Sequence, residues 1–322
     1  MLFFVVVYLI RIVLLSPIAA IYWLITSLRN WGYNQQLFKS TSFDIPIMVI
    51  GNLAVGGTGK TPMVEYLINL LSKKYSIVVL SRGYGRETTG FLWVEQKLSP
   101  NQVGDEPLQI KCNYDYIAVA VCENRVQGVL RILNEKPETT LIILDDAFQH
   151  RKIKPKVSLM LSTYEKPYFK DWLMPAGNLR EARQGANRAD AIIMTKCPEN
   201  FELIPPKNKP VFYAKSNYVD PTIKTPVFGF SGLANNITFK NHLAKKYTLS
   251  GFQGFKDHHV YTQKELDTLV EKSNKSTLVC TQKDWIKIKH LTLKHKIETV
   301  SMSHQIIESD KFNNWLIQQI ES

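Results

Sequence analysis

The residues best suited to chemistry lie in Ile50-Gly51-Asn52-Leu53-Ala54-Val55-Gly56-Gly57-Thr58-Gly59-Lys60-Thr61-Pro62. A short apolar run, Ile45 to Ile50, precedes them, and a helical pattern, Lys60 to Lys73, follows. A glycine-rich turn between strand and helix that ends in Lys-Thr is the pattern of a phosphate-binding loop. Glycines at 56, 57 and 59 let backbone N–H groups of Ala54 to Thr61 wrap a phosphate without Cβ clashes. The helix N-terminus adds partial positive charge. Lys60 would reach the β- and γ-phosphates of ATP, and the Thr61 hydroxyl would ligate Mg²⁺. Pro62 suits the first helical turn, where a missing N–H costs nothing. The pattern's first glycine is replaced by Ala54.

A phosphoryl-transfer site of this type also needs a carboxylate at the end of a neighbouring strand to hold Mg²⁺. Leu141-Ile142-Ile143-Leu144-Asp145-Asp146 supplies two. Adjacent strand residues face opposite sides, so the two acids would differ in role. A base for an acceptor hydroxyl is a further requirement. Gly104-Asp105-Glu106-Pro107 offers Asp105, and the same residues also read as a helix N-cap. Phe255-Lys256-Asp257-His258-His259 offers an Asp-His pair, or an ordinary surface loop. Arg180, Arg183 and Arg188 could fork onto phosphates, whereas Lys152 to Lys156 read as a solvated face.

These groups must be positioned by a sheet. Apolar runs at Ser76 to Leu80, Tyr116 to Val121, Thr140 to Leu144, Val157 to Leu161 and Ala189 to Met194 alternate with helical segments. That alternation predicts an α/β fold, a P-loop NTPase-type parallel sheet flanked by helices. Prolines 198, 205, 206 and 210 mark a boundary, beyond which a second, smaller α/β domain follows. The predicted parts are an apolar helix over 1–28, a nucleotide-binding kinase domain over 29–200 and a C-terminal domain over 201–322.

The chain has 322 residues, enough for two cores. Charged residues make up 21%, which excludes a disordered chain. The net charge of +12 favours anionic partners. No nucleic-acid-binding motif is present, so nucleotides and anionic lipid headgroups are the expected ones, and no stable protein partner is implied. Four dispersed cysteines form no metal or disulfide pattern. Leu2 to Ile25 is apolar and long enough to cross a bilayer, although Arg11 and Pro17 interrupt it. A spanning anchor, an interfacial helix and a buried core helix all fit that run. Membrane attachment is favoured because the run is too apolar for a soluble surface.

Taken together, the segments resemble the tetraacyldisaccharide 4'-kinases of lipid A biosynthesis. The P-loop, Ser81-Arg82-Gly83-Tyr84-Gly85, Gly104-Asp105-Glu106-Pro107, Asp145-Asp146-Ala147-Phe148-Gln149-His150, Pro175-Ala176-Gly177-Asn178-Leu179-Arg180-Glu181 and Asp257-His258-His259 carry the resemblance, in that order. Ala147 stands where the family often has glycine. The resemblance implies two α/β/α lobes closing over the nucleotide. It also implies transfer of the ATP γ-phosphate to the 4'-hydroxyl of a tetraacylated glucosamine disaccharide 1-phosphate, at the cytoplasmic face of the bacterial inner membrane. By the same resemblance Asp105 looks like the base with His258 as partner, and Lys60 like a catalytic residue. Thr61, Asp145 and Asp146 look like the metal ligands. Arg180 and Glu181 look like active-site residues near the phosphates or substrate, and Arg82, Glu106, Gln149 and His150, on the loop segments beside them, are further expected contacts. A membrane-associated P-loop regulatory ATPase switch is the competing reading. Val55, where such switches carry an extra lysine, leans against it.

Overall fold

The computed structural model describes residues 2–203, 209–257, 259–292 and 295–322, with side chains from Val13 onward in the first helix. The chain runs α1 (Leu2–Asn34), β1 (Ile47–Asn52), α2 (Lys60–Leu71), β2 (Ile77–Ser81), β3 (Leu92–Trp93), α3 (Pro100–Val103), α4 (Asp105–Asn113), β4 (Ala118–Val121), α5 (Arg125–Glu135) and β5 (Leu141–Leu144). It continues through β6 (Val157–Thr163), β7 (Ala191–Thr195), β8 (Val211–Val219), β9 (Val227–Ser231), α6 (Asn236–Lys246) and β10 (Leu249–Gly254). It closes with α7 (Gln263–Ser273), β11 (Thr277–Thr281), α8 (Gln282–Ile288), β12 (Ile297–Ile306) and α9 (Ser309–Glu321).

These elements form two units that interleave along the sequence. The first comprises residues 1–82, 122–216 and 304–322, and the second 83–121 and 217–303. Sequence reading places one boundary near residue 200, in a stretch of which 204–208 lie outside the described residues. The chain instead changes unit four times, because 83–121 pack with the C-terminal half and the last helix returns to the first unit. Proline clustering marks a loop, and only long-range packing decides which unit a segment joins.

In the first unit the sheet order is β8-β7-β6-β1-β5-β2, all parallel. Strand β1, six residues, and strand β5, four apolar residues, are fully buried, as expected of strands covered on both faces. Register pairs Val49 with Leu144 and Leu80 with Leu144, so β1, β2 and β5 end at the same edge. Ligand sites in such sheets form beyond the carboxyl ends of the strands. Helix α2 buries Met63, Leu67, Ile68 and Leu71 at 3.6-residue spacing. Each contributes roughly 1.5–3 kcal/mol by burial. That face holds the start of α2, and so Lys60 and Thr61, against the sheet.

Helix α1 spans 33 residues with Pro17 inside it. Its stretch Val13–Asn34 is long and apolar enough to cross a membrane, and its most apolar window has no buried residue. Val13, Leu14, Ile18, Ile21 and Ile25 are all at least half exposed, which rules out the core-helix alternative for this stretch.

The second unit has its own parallel sheet, β10-β9-β11-β12. One face carries Phe228, Phe230, Tyr261 and Leu266, the other Phe239, Leu243 and Val279. The antiparallel pair β3–β4 and the helices α3 and α4 belong to this unit. Helix α4 is tied to the α8 region by Gln282 to Asn113 and by Lys289 Nζ to Cys112 Sγ at 2.8 Å.

Candidate active site

The phosphate-binding loop begins where β1 ends. Asn52 turns its Nδ2 inward, donating to Ala54 O at 2.6 Å and to Thr58 Oγ1 at 2.9 Å. Thr195 Oγ1, at the end of β7, donates to Thr58 O at 2.8 Å. Gly59 caps α2 at φ 86°, where a side chain would be strained, and an added Cβ would lie 2.3 Å from His304 Nε2. His304 meets Gly59 O at 2.9 Å, and burial lowers its pKa, so the ring stays neutral. Val55, Gly56 and Gly57 are exposed, leaving their face open to a ligand. A second segment braces the loop from the other side: Val55 N donates to Asn178 O at 2.9 Å and Arg180 N to Leu53 O at 2.7 Å.

Asp145 and Asp146 do not continue the strand. Strand β5 stops at Leu144, and the two acids form a turn with Asp146 at φ 45°. Turn geometry, not alternate strand faces, therefore sets the two side chains apart. Asp145 is 1% exposed and accepts from Ser81 Oγ at 3.2 Å. Asp146 lies 3.6 Å from Lys60 Nζ and 3.1 Å from Arg180 Nη1. Burial raises the Asp146 pKa, but Lys60 and Arg180 outweigh it and hold the carboxyl below its ordinary range. Arg125, itself 2% exposed, donates to Asp145 O at 3.3 Å, and burial lowers its pKa to about 10.

Gln149 and Glu181 sit behind this pair. Gln149 Nε2 donates to Asn52 O at 2.8 Å and to Glu181 Oε1 at 3.1 Å. Glu181 is 2% exposed, and Arg188 Nη2 and Asn30 Nδ2 each donate to it at 2.6 Å. It is thus a buried hub rather than an open contact surface. His150 has its pKa lowered to about 4, first by burial and then by Arg125. Arg82 is exposed at the end of β2.

Thr61, Asp145 and Asp146 supply hard oxygen donors, the chemistry Mg²⁺ takes. Among the described residues no group of three or more His, Cys, Asp or Glu could hold a metal alone. Mg²⁺ is usually held by one or two carboxylates together with nucleotide phosphates and water, so it does not call for such a group. The donor set fits.

In the second unit, Asp105 is not the helix cap that sequence reading allows. Gly104 caps α4 at φ 90°, and Asp105 is its first residue, 7% exposed. Its Oδ1 accepts the Glu106 N–H at 3.0 Å. Glu106 itself is half-buried. Two ammonium groups of α8 face Asp105 Oδ2: Lys283 at 3.7 Å and Lys287 at 3.9 Å. Lys283 also lies 3.9 Å from Asp257. Burial lowers the Lys287 pKa, opposed by Asp284 and Asp105. Asp284 fixes α8 by accepting from Tyr261 Oη at 2.9 Å, Gly232 N at 3.0 Å and Thr281 Oγ1 at 2.6 Å. His258 lies outside the described residues. His259 is engaged elsewhere, 3.1 Å from Glu265 and stacked on Phe255.

Sequence reasoning missed Lys283, Lys287, His304, Asn30 and Tyr22. Only the first two carried a signal: lysines four apart directly after a strand, with Asp between them.

A family model described as Tetraacyldisaccharide-1-P 4'-kinase matches residues 11–321. The chain is 35% identical over 333 residues to the tetraacyldisaccharide 4'-kinase of Flavobacterium psychrophilum, covering 96% of each protein. It is 36% identical over 303 residues to that of Flavobacterium johnsoniae, covering 86% of this chain and 87% of the relative. Among solved structures it is similar to "apo" form LpxK from Aquifex aeolicus in complex with ATP, with TM-score 0.82 and 30% identity, over 96% of this chain and 99% of that one. Matches of this length and identity extend far beyond the P-loop: the chain belongs to the tetraacyldisaccharide 4'-kinase family.

Proposed function

We propose that this chain moves the γ-phosphate of ATP to the 4'-hydroxyl of a tetraacylated glucosamine disaccharide 1-phosphate, in lipid A biosynthesis at the cytoplasmic face of the inner membrane. The observation that carries the reading is the cradle from Ala54 to Thr61, with Lys60 3.6 Å from Asp146 at the carboxyl edge of the sheet. The first unit is the nucleotide-binding one, and 1–28 is its membrane-associated helix.

Backbone N–H groups of Gly56, Gly57 and Gly59, with Lys60, hold the β- and γ-phosphates. Thr61, Asp145 and Asp146 would hold Mg²⁺, which neutralises charge developing on the transferring group. Arg180 keeps Asp146 ionised and in place through its 3.1 Å contact. Asp105 accepts the proton of the acceptor hydroxyl, with His258 as its proposed partner. Lys283 and Lys287 favour the carboxylate form that a base requires. The exposed apolar stretch from Val13 and the net charge of +12 suit an acceptor with acyl chains and an anionic headgroup.

The test is a transfer assay with γ-labelled ATP, Mg²⁺ and tetraacyldisaccharide 1-phosphate in detergent micelles. Label in the lipid at the 4' position is the expected result. ATP hydrolysis with no labelled lipid would point to a regulatory ATPase instead.

A further inference from the structure

Helix α1 does more than present an apolar face. Its C-terminal half is bonded to Arg180, which contacts Asp146, and to Gln149 and Glu181, which are linked in turn to Arg180. Tyr22 Oη donates to Arg180 O at 2.7 Å, Arg29 Nη2 to Gln149 O at 2.8 Å, and Asn30 Nδ2 to Glu181 Oε2 at 2.6 Å. The partners lie 120 to 158 residues away, so no local turn accounts for these bonds.

The contacts form a chain. Asn30 and Gln149 both donate to buried Glu181. Gln149 Oε1 accepts from Arg180 Nη1 at 3.4 Å, and the same Nη1 donates to Asp146 Oδ1 at 3.1 Å. A carboxylate as buried as Glu181 must be held by donors, or it becomes an uncompensated charge. Asn30 is the donor that α1 contributes. Arg180, by contrast, is a quarter exposed at its side chain, so its orientation depends on what fixes its backbone and its Gln149 neighbour. Both of those supports reach back to α1.

We propose that α1 is a positioning element of the phosphate-transfer site: its docking through Tyr22, Arg29 and Asn30 sets Glu181, Gln149 and Arg180, and through them the place of Asp146. The helix that offers its apolar side to lipid therefore also assembles the metal-side carboxylate. This rests on the kinase reading above, since it assigns Arg180 and Asp146 to the reaction.

The test uses the full chain with Asn30→Asp, an isosteric change that sets a second carboxylate against Glu181. The expected result is a fall in kcat of about tenfold or more, with KM for ATP within about twofold of wild type. The paired exchange Asn30→Asp with Glu181→Gln reverses the hydrogen bond and should recover at least about threefold of that loss. A protein that is merely loosened would not be rescued by this exchange. Wild-type kcat in folded Asn30→Asp, or a double variant no better than the single one, overturns the proposal. Should Asn30→Asp not fold, Tyr22→Phe removes one donor only and should lower kcat about fivefold. Unchanged kcat there overturns the proposal as well. Wild type measured beside them separates the two failures: no lipid label from wild type sinks the kinase reading and this inference together, whereas full activity in the variants sinks the inference alone.

Discussion

Asp146 and Asp105 are both carboxylates facing two cations, one in each unit, and they are held differently. Asp146 is gripped at hydrogen-bond distance by Arg180, at 3.1 Å, and sits on a left-handed turn residue. Asp105 has its ammonium groups at 3.7 and 3.9 Å, beyond direct hydrogen bonding, on the first turn of a helix. The first arrangement fixes an oxygen donor in space, as a metal ligand requires. The second stabilises negative charge, the form in which a base works. We propose that this contrast goes with different work, Asp146 at the metal and Asp105 as the base.

The strongest way to break that contrast is Asp105→Asn. It should lower kcat by about 10²–10⁴-fold while ATP affinity stays near wild type. Steady-state transfer beside nucleotide titration checks it, and equal losses in both would make Asp105 a binding residue. Arg180→Ala comes next, with about a 10–100-fold fall in kcat, because Asp146 loses its clamp. A loss below about twofold would mean that Lys60 alone suffices.

Lys287→Met sharpens the comparison on the other side. Removing an ammonium 3.9 Å from Asp105 favours the protonated acid, so the acid limb of the pH–kcat/KM profile should move to higher pH. Activity at neutral pH should fall only a few-fold. An unmoved acid limb would mean that Lys287 does not compensate Asp105.

How much of this was open to sequence reading follows from distance along the chain. The strand, loop and helix from Ile47 to Leu71 are contiguous, so composition and spacing were enough. The acids at 145 and 146 were found the same way, although their turn was not. The unit membership of 83–121 was hidden, because it depends on α4 packing beside α8, nearly 170 residues on. His304 beneath Gly59 and Asn30 against Glu181 were hidden for the same reason. A neutral side chain recruited from 245 residues away leaves no local pattern. Lysines 283 and 287 did leave one, as a pair on a single helical face.

The smallest effect concerns His150, whose pKa is lowered from 6.5 to about 4 mainly by burial. A depressed histidine favours the fold while neutral, and the unfolded chain binds its proton first. Stability should therefore be full above pH 6.5 and decline as pH falls toward about 4. After allowance for solvent screening the loss is roughly 1–2 kcal/mol. Thermal unfolding of His150→Gln across that window should lack this component, and an identical pH slope would contradict it.

The contrast between the two acids is tested most directly by single-turnover transfer from γ-labelled ATP to tetraacyldisaccharide 1-phosphate, with Asp105→Asn and Asp146→Asn beside wild type and Mg²⁺ varied throughout. The account predicts that Asp105→Asn stays slow at every Mg²⁺ concentration, while Asp146→Asn recovers part of its rate as Mg²⁺ rises. Rescue of Asp105→Asn by Mg²⁺, or a wild-type rate in that variant, would contradict it.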